Sequence, residues 1–432
     1  MNKPDEHINR QVGHLFREEA GKLTAIMIRI FGFENSRLSE DIIQETFLAA
    51  LKTWPTNGMP DNPSAWLMRV AKNKTLNAIK KEKRISTLPE KCMPTIYSAN
   101  GESHDTETTV LDEWFSDHYI RDSQLLVLLT CCHPDFPEKA RIMLTLKTLA
   151  GFSYTEIAQG LLVNEENVRK KLYRIRNRIR GNEEILNSRV CQQIPERLES
   201  VLTVLYLMFN EGYKRTCGDE LIGKSLCFEA IRLTKLLSEI EITPDSHQSG
   251  RIDALMALMC LNAARFPARI DPEGHIVDLK NQNRLLWDQT LIRLGFHYLN
   301  KSRESDTVSR YHLEAGISSV HCLASTYEQT DWKTILFYYN QLLEQTDSIV
   351  VKINRAIALS FVEGAEAALE ELEHLTDDLS ESYRFYHAAR AEMYYRIGLY
   401  EKAQSCYETA HHTTKSKLEK QFLSTQIQKC QP

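Results

Sequence analysis

Residues 145–180 read TLKTLAGFSYTEIAQGLLVNEENVRKKLYRIRNRIR, a stretch that predicts a short helix, a turn and a second, strongly basic helix. We expect the first helix to begin at about Tyr154 with Ser153 as its N-cap, and the second to begin near Asn164. Apolar residues of the second helix recur every three or four positions, which places them on one buried face. These are Val168, Leu172 and Ile175. A small helix pair with one cationic helix is a common means of placing side chains in the major groove of DNA.

Seven basic side chains occur between Arg169 and Arg180, with no acidic residue among them. A solvated surface helix is the plainer interpretation, but the absence of any acidic residue in this run argues against it. We therefore predict DNA binding here, with an affinity that falls as salt rises because each phosphate contact releases counterions. The residues predicted to contact DNA are Asn167, Arg169, Lys170, Lys171, Arg174 and Arg178.

A second basic helix is predicted at 65–84, where the sequence is AWLMRVAKNKTLNAIKKEKR. Its apolar residues fall roughly on one face, and we expect Trp66 in the core rather than as a platform for base stacking. Basic and amide side chains line the rest of the helix, which suits a surface that contacts both phosphates and bases. Taken alone, this segment could equally be a solvated helix. The residues predicted to contact nucleic acid are Arg69, Asn73, Asn77, Lys80 and Lys81.

The segment just before it, residues 38–55, reads LSEDIIQETFLAALKTWP and predicts an amphipathic helix with Ser39 as its N-cap. Its expected apolar stripe consists of Ile43, Phe47, Leu48 and Leu51. Three polar residues lie elsewhere on the helix and could meet a partner protein, with Phe47 supporting that surface. These three are Asp41, Gln44 and Glu45.

Composition limits the remaining possibilities. The 432 residues are 42% apolar, enough for two or three domains, and the net charge of −5 means that any affinity for nucleic acid must come from local clusters. The ten cysteines include no CxxC pair, so neither a disulfide framework nor a zinc site is indicated. The polar N-terminus is unlike a signal peptide, and no apolar run approaches the ~20 residues that span a bilayer. We expect a cytoplasmic protein without membrane contact.

No catalytic site, metal site or cofactor is predicted. Cys131, Cys132 and His133 are adjacent, but neighbouring residues of a helix point in different directions, so a buried thiol pair with a terminal histidine is favoured. The polar, turn-rich segment 271–288 could be a functional loop, although it lacks the oxygen spacing of an EF-hand. The sequence does not identify a ligand for it.

Strand signals are nearly absent and amphipathic helical patterns dominate, so the predicted fold class is all-α. The predicted segments are a helical block at 8–84, a linker at 85–110, a second helical block at 111–182 and a helical-repeat region at 185–430. Within the last, residues 391–410 have the spacing of a tetratricopeptide helix pair. Ala391 and Ala403 would let two helices approach while tyrosines fill the gap. Gly364 lies 34 residues before Gly398, which suggests a less complete second repeat.

In content and order, these segments resemble a bacterial RNA polymerase sigma factor of the extracytoplasmic-function group. The group's region 2 helix, which docks on core polymerase, resembles SEDIIQETFLAALKTW, and the adjoining reader of the promoter −10 element resembles WLMRVAKNKTLNAIKKEKR. Region 4, whose helix-turn-helix reads the −35 element, resembles YTEIAQGLLVNEENVRKKLYRIRNRIR. Three further segments resemble a subgroup of these factors that carries a long C-terminal helical-repeat extension. They are TCCHPDFPEKARIMLTLKTLAGF, LTVLYLMFNEGY and DLKNQNRLLWD.

The resemblance implies a promoter-specificity subunit without enzymatic activity, whose partners are core RNA polymerase and promoter DNA. The polar residues of 41–45 would face polymerase, the 69–81 set would hold the melted −10 strand, and the 167–178 set would contact the −35 element. The C-terminal region would modulate activity, as the extension in this subgroup is thought to replace a separate anti-sigma factor. It would either clamp regions 2 and 4 in an inactive arrangement or support folding and polymerase engagement.

The sequence departs from the group's pattern at five positions. Leu162 stands where the turn usually holds a glycine, and Asn167 replaces the threonine that usually precedes the recognition-helix valine. In the −10 region, the usual aspartate and arginine are replaced by Asn77, Lys80 and Lys81. Lys cannot make the bidentate guanine contact that Arg makes, so we expect a different promoter preference.

Two other interpretations remain. A DNA-binding regulator with a helical-repeat sensor would need no polymerase-docking helix beside a strand-melting surface at 39–81. A protein-interaction scaffold would use the repeats as its main part, with vestigial DNA binding.

Overall fold

The protein is all-α, as predicted, in the residues that its computed structural model describes. These are 19–85, 115–161, 163–180, 194–215, 220–239, 246–305, 307–375, 384–414 and 416–431. Within them, the only strand-like pairing is an isolated bridge between Ile270 and Ile276. The predicted linker at 85–110 lies outside the described residues except for Ile85. The chain divides into two compact units, 1–207 and 208–432.

The first unit contains eight described helices, and the unit boundary falls within the last of them. They are α1 (19–31), α2 (Ser36–Asn57), α3 (Pro63–Ile85), α4 (Asp117–Cys131), α5 (Glu138–Thr148), α6 (Tyr154–Leu161), α7 (Glu165–Arg180) and α8 (Ile194–Arg215). A 3-10 turn, Phe33–Asn35, leads into α2.

Helices α1 to α3 share one apolar core, to which the start of α4 contributes Ile120. From α2 this core takes Ile42, Ile43, Phe47, Ala50 and Trp54. The prediction that Leu48 and Leu51 belong to the buried stripe is wrong, because they are 51% and 37% exposed. The stripe continues instead through Ala50 and Trp54, which lie seven and eleven residues after Ile43 and return to the same face.

Helix α2 begins four residues earlier than the sequence suggested. Asn35 is its N-cap position, and Ser39 lies inside the helix, where its hydroxyl donates to the Asn35 carbonyl oxygen at 3.3 Å. The predicted N-cap at Ser39 is therefore wrong. The 3-10 turn sets the start of the helix, and that turn leaves little signal in amino-acid preference.

The second unit is a succession of helices in which most neighbours in sequence pack on one another. Its helices are α9 (Glu220–Ser238), α10 (Ser246–Ala263), α11 (Gln289–Ser302), α12 (Arg310–Leu323), α13 (Trp332–Gln345), α14 (Ile349–Val362), α15 (Ala365–Glu373), α16 (Arg384–Arg396), α17 (Tyr400–Thr413) and α18 (Lys417–Lys429). No helix in the described ranges of the chain is long and apolar enough to cross a membrane.

The last helices carry the features expected of a repeat. Gly364 and Gly398 both have positive φ, 111° and 80°, and each joins one helix to the next, α14 to α15 and α16 to α17. Ala391 and Ala403 are fully buried. Of the tyrosines expected between the helices, Tyr394 and Tyr407 are buried, whereas Tyr400 is half exposed. These features fit a tetratricopeptide-like pair, which stays a prediction for the rest of the second unit.

Candidate nucleic-acid interface

Side-chain caps begin both helices of the pair α6–α7, and the cap at Ser153 is the one that the sequence predicted. The Glu156 amide donates to the Ser153 hydroxyl at 3.1 Å, and the Ser153 amide donates to the Glu156 carboxylate at 2.8 Å, which together form a capping box. At the start of α7, the Glu166 amide donates to the Asn164 side chain at 2.8 Å. Leu162, the unusual turn residue, lies outside the described residues.

Helix α7 has one buried and one exposed face. The buried face contains the three predicted residues and one more, Val168, Leu172, Ile175 and Ile179. On the opposite side lie polar and basic residues at helical spacing, all exposed: Asn167, Lys170, Arg174, Asn177 and Arg178. Tyr173 borders this face and is 68% exposed. Lys171 is partly buried at the other border. Asn177 on this face and Tyr173 at its border are two residues that sequence reasoning missed, although their spacing from Lys170 and Arg174 could have indicated them.

Acidic residues just before the basic run engage its first members. Glu165 accepts hydrogen bonds from Arg169 at 2.6 and 3.0 Å, and Glu166 pairs with Lys170 at 2.7 Å. The Arg169 guanidinium also lies 4.3 Å above the ring of Tyr154 in α6. Hydrogen bonds from Arg169 and then from Thr155 lower the pKa of Glu165, so this carboxylate stays charged. Arg169 is therefore held against its own helix pair.

Two basic residues of α7 pair with acids far away in the sequence. Arg176 pairs with Glu40 of α2 at 2.8 Å, and Arg178 lies 3.5 Å from the Asp135 carboxylate. Neither partner could be found from the spacing within α7. For Arg174, by contrast, no hydrogen bond or ion pair occurs among the described residues.

Four of the five residues predicted in α3 form a single exposed row. Arg69, Asn73, Asn77 and Lys80 follow one another at spacings of four, four and three, and each is exposed. Lys81 lies in α3, but its side chain is outside the described residues. Trp66 packs edge-on against Trp54, with 5.4 Å between the ring centroids, so its assignment to the core is confirmed.

The outer face of α2 presents the predicted polar residues together with an apolar one. Asp41, Gln44 and Glu45 are exposed, and Leu48 lies one turn further along the same side. Phe47 is 4% exposed, so it can support this surface only from below. Glu45 pairs with Lys74 of α3 at 2.7 Å, which ties the two helices together beside both exposed faces.

Comparison with known proteins identifies this arrangement. Residues 15–85 match the family model of sigma-70 region 2, and residues 126–179 match that of sigma-70 region 4. Over 168 residues, the chain is 26% identical to the ECF RNA polymerase sigma factor SigE of Mycolicibacterium smegmatis, covering 38% of this chain and 59% of that protein. The chain belongs to the extracytoplasmic-function sigma factors.

This sigma factor also has an additional C-terminal domain. Residues 197–303 match a family of unknown function, DUF6596. The similarity extends through most of the chain in an uncharacterized protein, R00370, from Rhizobium meliloti strain 1021, with 33% identity over 378 residues, 88% of this chain and 86% of that one. No solved structure matches the chain.

The two adjacent cysteines at the end of α4 are buried, as expected. Cys131 and Cys132 are fully buried, and burial raises the pKa of the Cys132 thiol to about 12. A buried thiol with a raised pKa is a poor nucleophile and a poor metal ligand. The pair is therefore part of the packing between α4 and its neighbours.

The polar segment 271–288 is fixed by contacts within the second unit. Arg284 donates to the Ala324 carbonyl oxygen at 2.7 Å and to the Thr330 hydroxyl at 3.2 Å, and Trp287 is buried. Asp271, Glu273 and His275 place one possible ligand atom each within 4.8 Å of one another, but they are largely exposed, and His275 already bonds Asp271. Exposed polar groups of this kind do not by themselves make a metal site.

Proposed function

We propose that this sigma factor binds core RNA polymerase and directs it to promoters that it contacts at two points. One observation supports the proposal above all. Helices α3 and α7 each present a row of cationic and amide side chains opposite the face that enters an apolar core. The docking helix α2 lies beside the first row, which a DNA-binding regulator or a scaffold would not need.

The proposed polymerase contact is the outer face of α2. Asp41, Gln44 and Glu45 supply polar groups there, and the exposed Leu48 adds apolar area one turn further along the same side. Interfaces of this composition combine a small apolar centre with a polar rim. Phe47 holds the face in place from the core rather than touching polymerase.

The proposed −10 contact is the row on α3. Arg69 and Lys80 would bind phosphates at the two ends of the row, while Asn73 and Asn77 would hydrogen-bond the edges of unpaired bases between them. Four residues along a helix rise about 6 Å, roughly the separation of successive phosphates in an extended single strand, so neighbouring side chains can meet neighbouring nucleotides. If Lys81 joins this row, it extends the phosphate contact by one residue.

The proposed −35 contact is the exposed face of α7. Asn167, near the N-terminus of the helix, would read a base edge, for which an adenine offers the bidentate match to an amide. Lys170, Lys171, Arg174 and Arg178 would bind phosphates further along the groove. Arg169 belongs to the same proposed contact, but it must share its guanidinium with Glu165.

A promoter-dependent transcription assay tests the proposal directly. The purified chain is added to core polymerase with a library of genomic fragments, and we expect discrete transcripts that core polymerase alone does not make. An Asn73→Ala/Asn77→Ala variant should bind core polymerase normally and lose most of these transcripts. Failure of the native chain to bind core polymerase or to direct transcription would favour the DNA-binding regulator instead.

In this proposal, 8–84 carries the polymerase and −10 contacts, 85–110 links them to the −35 contacts of 111–182, and 185–430 modulates activity in the cytoplasm, where polymerase and DNA are found. Truncation tests the last point. A cut after Asn182 would also remove Arg197 and Ser200, which bond the Leu129 carbonyl oxygen (3.3 Å) and Arg141 (2.6 Å) within the first unit. Truncation after Arg215 keeps these contacts. Transcription equal to that of the full chain would dismiss modulation.

A further inference from the structure

Regions 2 and 4 of this sigma factor meet directly within the first unit. Gly21 of α1 faces the backbone of Leu149, just after α5, so closely that a Cβ atom at residue 21 would overlap the Leu149 carbonyl oxygen. Leu149 itself is 1% exposed. Only a glycine permits an approach this close, because any other residue would bring a Cβ into the gap. The two backbones are therefore in direct contact at this point, without a side chain between them.

An ion pair closes a second point of this contact. Glu40 of α2 and Arg176 of α7 are 2.8 Å apart, and their side chains are 33% and 20% exposed. Lys147 of α5 lies on the same side, partly buried, where desolvation lowers its pKa and the charge of Glu40 opposes that shift. A cavity of only about 70 Å³ remains between these elements, and residues of both regions line it.

The cavity lining includes Gln44, one of the residues assigned to the polymerase-facing side of α2. Glu40, which holds Arg176, precedes Asp41 of the same surface. Region 4 therefore occupies the margin of the surface that is proposed to receive polymerase.

The distance between promoter elements is far larger than this arrangement allows. Elements centred at −10 and −35 are 25 base pairs apart, which is about 85 Å along B-form DNA. On α2, Glu45 holds Lys74 of α3 and Glu40 holds Arg176 of α7. Five residues of helix rise only about 7.5 Å. The two DNA-contacting helices are thus tied to points on α2 a tenth of the required distance apart.

We propose that the contact between regions 2 and 4 is an autoinhibitory latch, which consists of the Gly21–Leu149 backbone contact and the Glu40–Arg176 ion pair. This inference rests on the proposed function. The closed chain can engage one promoter element at most, so region 4 leaves α1 and α2 when polymerase binds. The fraction of molecules in which this contact is open then sets the apparent affinity for polymerase, because only open molecules bind it.

Charge reversal tests the latch. Glu40→Arg and Arg176→Glu each replace the attraction by repulsion, whereas the double variant restores an ion pair of opposite order. We expect each single variant to bind core polymerase roughly three- to tenfold more tightly than the native chain, and the double variant to return to within about twofold of it. Lys420→Glu, an exposed change in α18 with the same charge difference as Arg176→Glu, is the control and should bind like the native chain.

A second variant tests the Gly21–Leu149 backbone contact, with a readout that needs no polymerase. Gly21→Ala should raise the affinity for polymerase by tenfold or more, and hydrogen exchange of the full chain should accelerate in the peptides covering 19–28 and 147–152. The peptides of the second unit should be unchanged, which separates opening from general unfolding. Unchanged exchange and affinity in Gly21→Ala, or single and double charge variants that bind alike, would overturn the latch.

The outcome for the proposed function is read separately. If the native chain and all variants fail to bind polymerase, the sigma proposal fails, and the latch as a control of polymerase binding fails with it. If the native chain directs transcription and the variants bind polymerase no better, the sigma proposal stands and the latch alone is overturned.

Discussion

Arg174 should contribute one full phosphate contact to promoter binding, and Arg169 should contribute much less. Arg174 is exposed on α7 and has no ion pair among the described residues. Arg169 is already balanced by Glu165 at 2.6 Å. A cation that is already paired with an acid of the protein neutralises a phosphate less completely, so fewer counterions leave the DNA when it binds.

The salt dependence of binding gives the expected size of this difference. Each phosphate contact contributes about 0.9 to the slope of log affinity against log salt concentration. Arg174→Gln should therefore lower the slope by about 0.9. Between 50 and 200 mM salt, a fourfold rise, the native protein should lose about 3.5-fold more affinity than the variant. Glu165→Gln/Arg169→Gln removes both charges of an existing pair and should leave the slope nearly unchanged.

The measurement is the affinity of the reconstituted holoenzyme for a labelled promoter fragment at several salt concentrations. Lys420→Gln in α18 loses the same charge as Arg174→Gln and controls for the net charge of the chain. An unchanged slope in Arg174→Gln would remove Arg174 from the phosphate contacts. A slope lowered by about 0.9 in the Glu165/Arg169 double variant would show that Arg169 exchanges Glu165 for a phosphate.

Three further predictions concern stability. Trp66→Ala should lower the free energy of unfolding by about 2 kcal/mol in urea titrations, because Trp66 packs on Trp54. A Trp66→Ala protein that is as stable as the native chain but binds the −10 element weakly would contradict this and place Trp66 on the nucleic-acid surface. Ser153→Ala should cost about 1 kcal/mol and Ser153→Asp much less, because the hydroxyl caps α6; equal stability of all three proteins would contradict the cap. Burial lowers the pKa of His321 to about 3. Below about pH 6.5, His321 therefore binds a proton in the unfolded chain but not in the folded chain. Stability is complete above pH 6.5 and falls as the pH drops towards 3, by about 1.4 kcal/mol at pH 5.5, and His321→Gln should remove this part of the pH dependence in thermal unfolding.

The local features of α6 and α7 could be predicted because their causes lie within one helical turn. Ser153 caps a helix whose third residue, Glu156, returns the bond, and the buried face of α7 repeats at the period of a helix. The same reasoning misplaced Leu48 and Leu51. Hydrophobicity alone makes them candidates for the core, whereas the small Ala50 and the distant Trp54 decide which face of α2 is buried.

The contacts that join distant parts of the first unit leave no such pattern in the sequence. Glu40 and Arg176 are 136 residues apart, and neither belongs to a motif that selects the other. Gly21 gives no sign in the sequence that it faces Leu149, because a glycine in a helix usually means only lower helix stability. The sequence could therefore predict α3 and α7 as two separate basic helices, but not the contacts that hold both of them to α2.

Counting positive residues in α7 overstates its general attraction to DNA. Among the seven basic residues from 169 to 180, acids engage Arg169, Lys170, Arg176 and Arg178, and these acids lie before the run or far from it in sequence. The pairs of Arg169, Lys170 and Arg178 are exposed and are worth at most about 1 kcal/mol each, so a correctly placed phosphate can displace the acid, while DNA in general gains less from cations that are already paired. In the proposed −35 contact, non-specific binding would thereby be weakened more than specific binding, which would raise the ratio between them. The amides of Asn167 and Asn177, which carry no charge, would then account for a larger share of promoter choice.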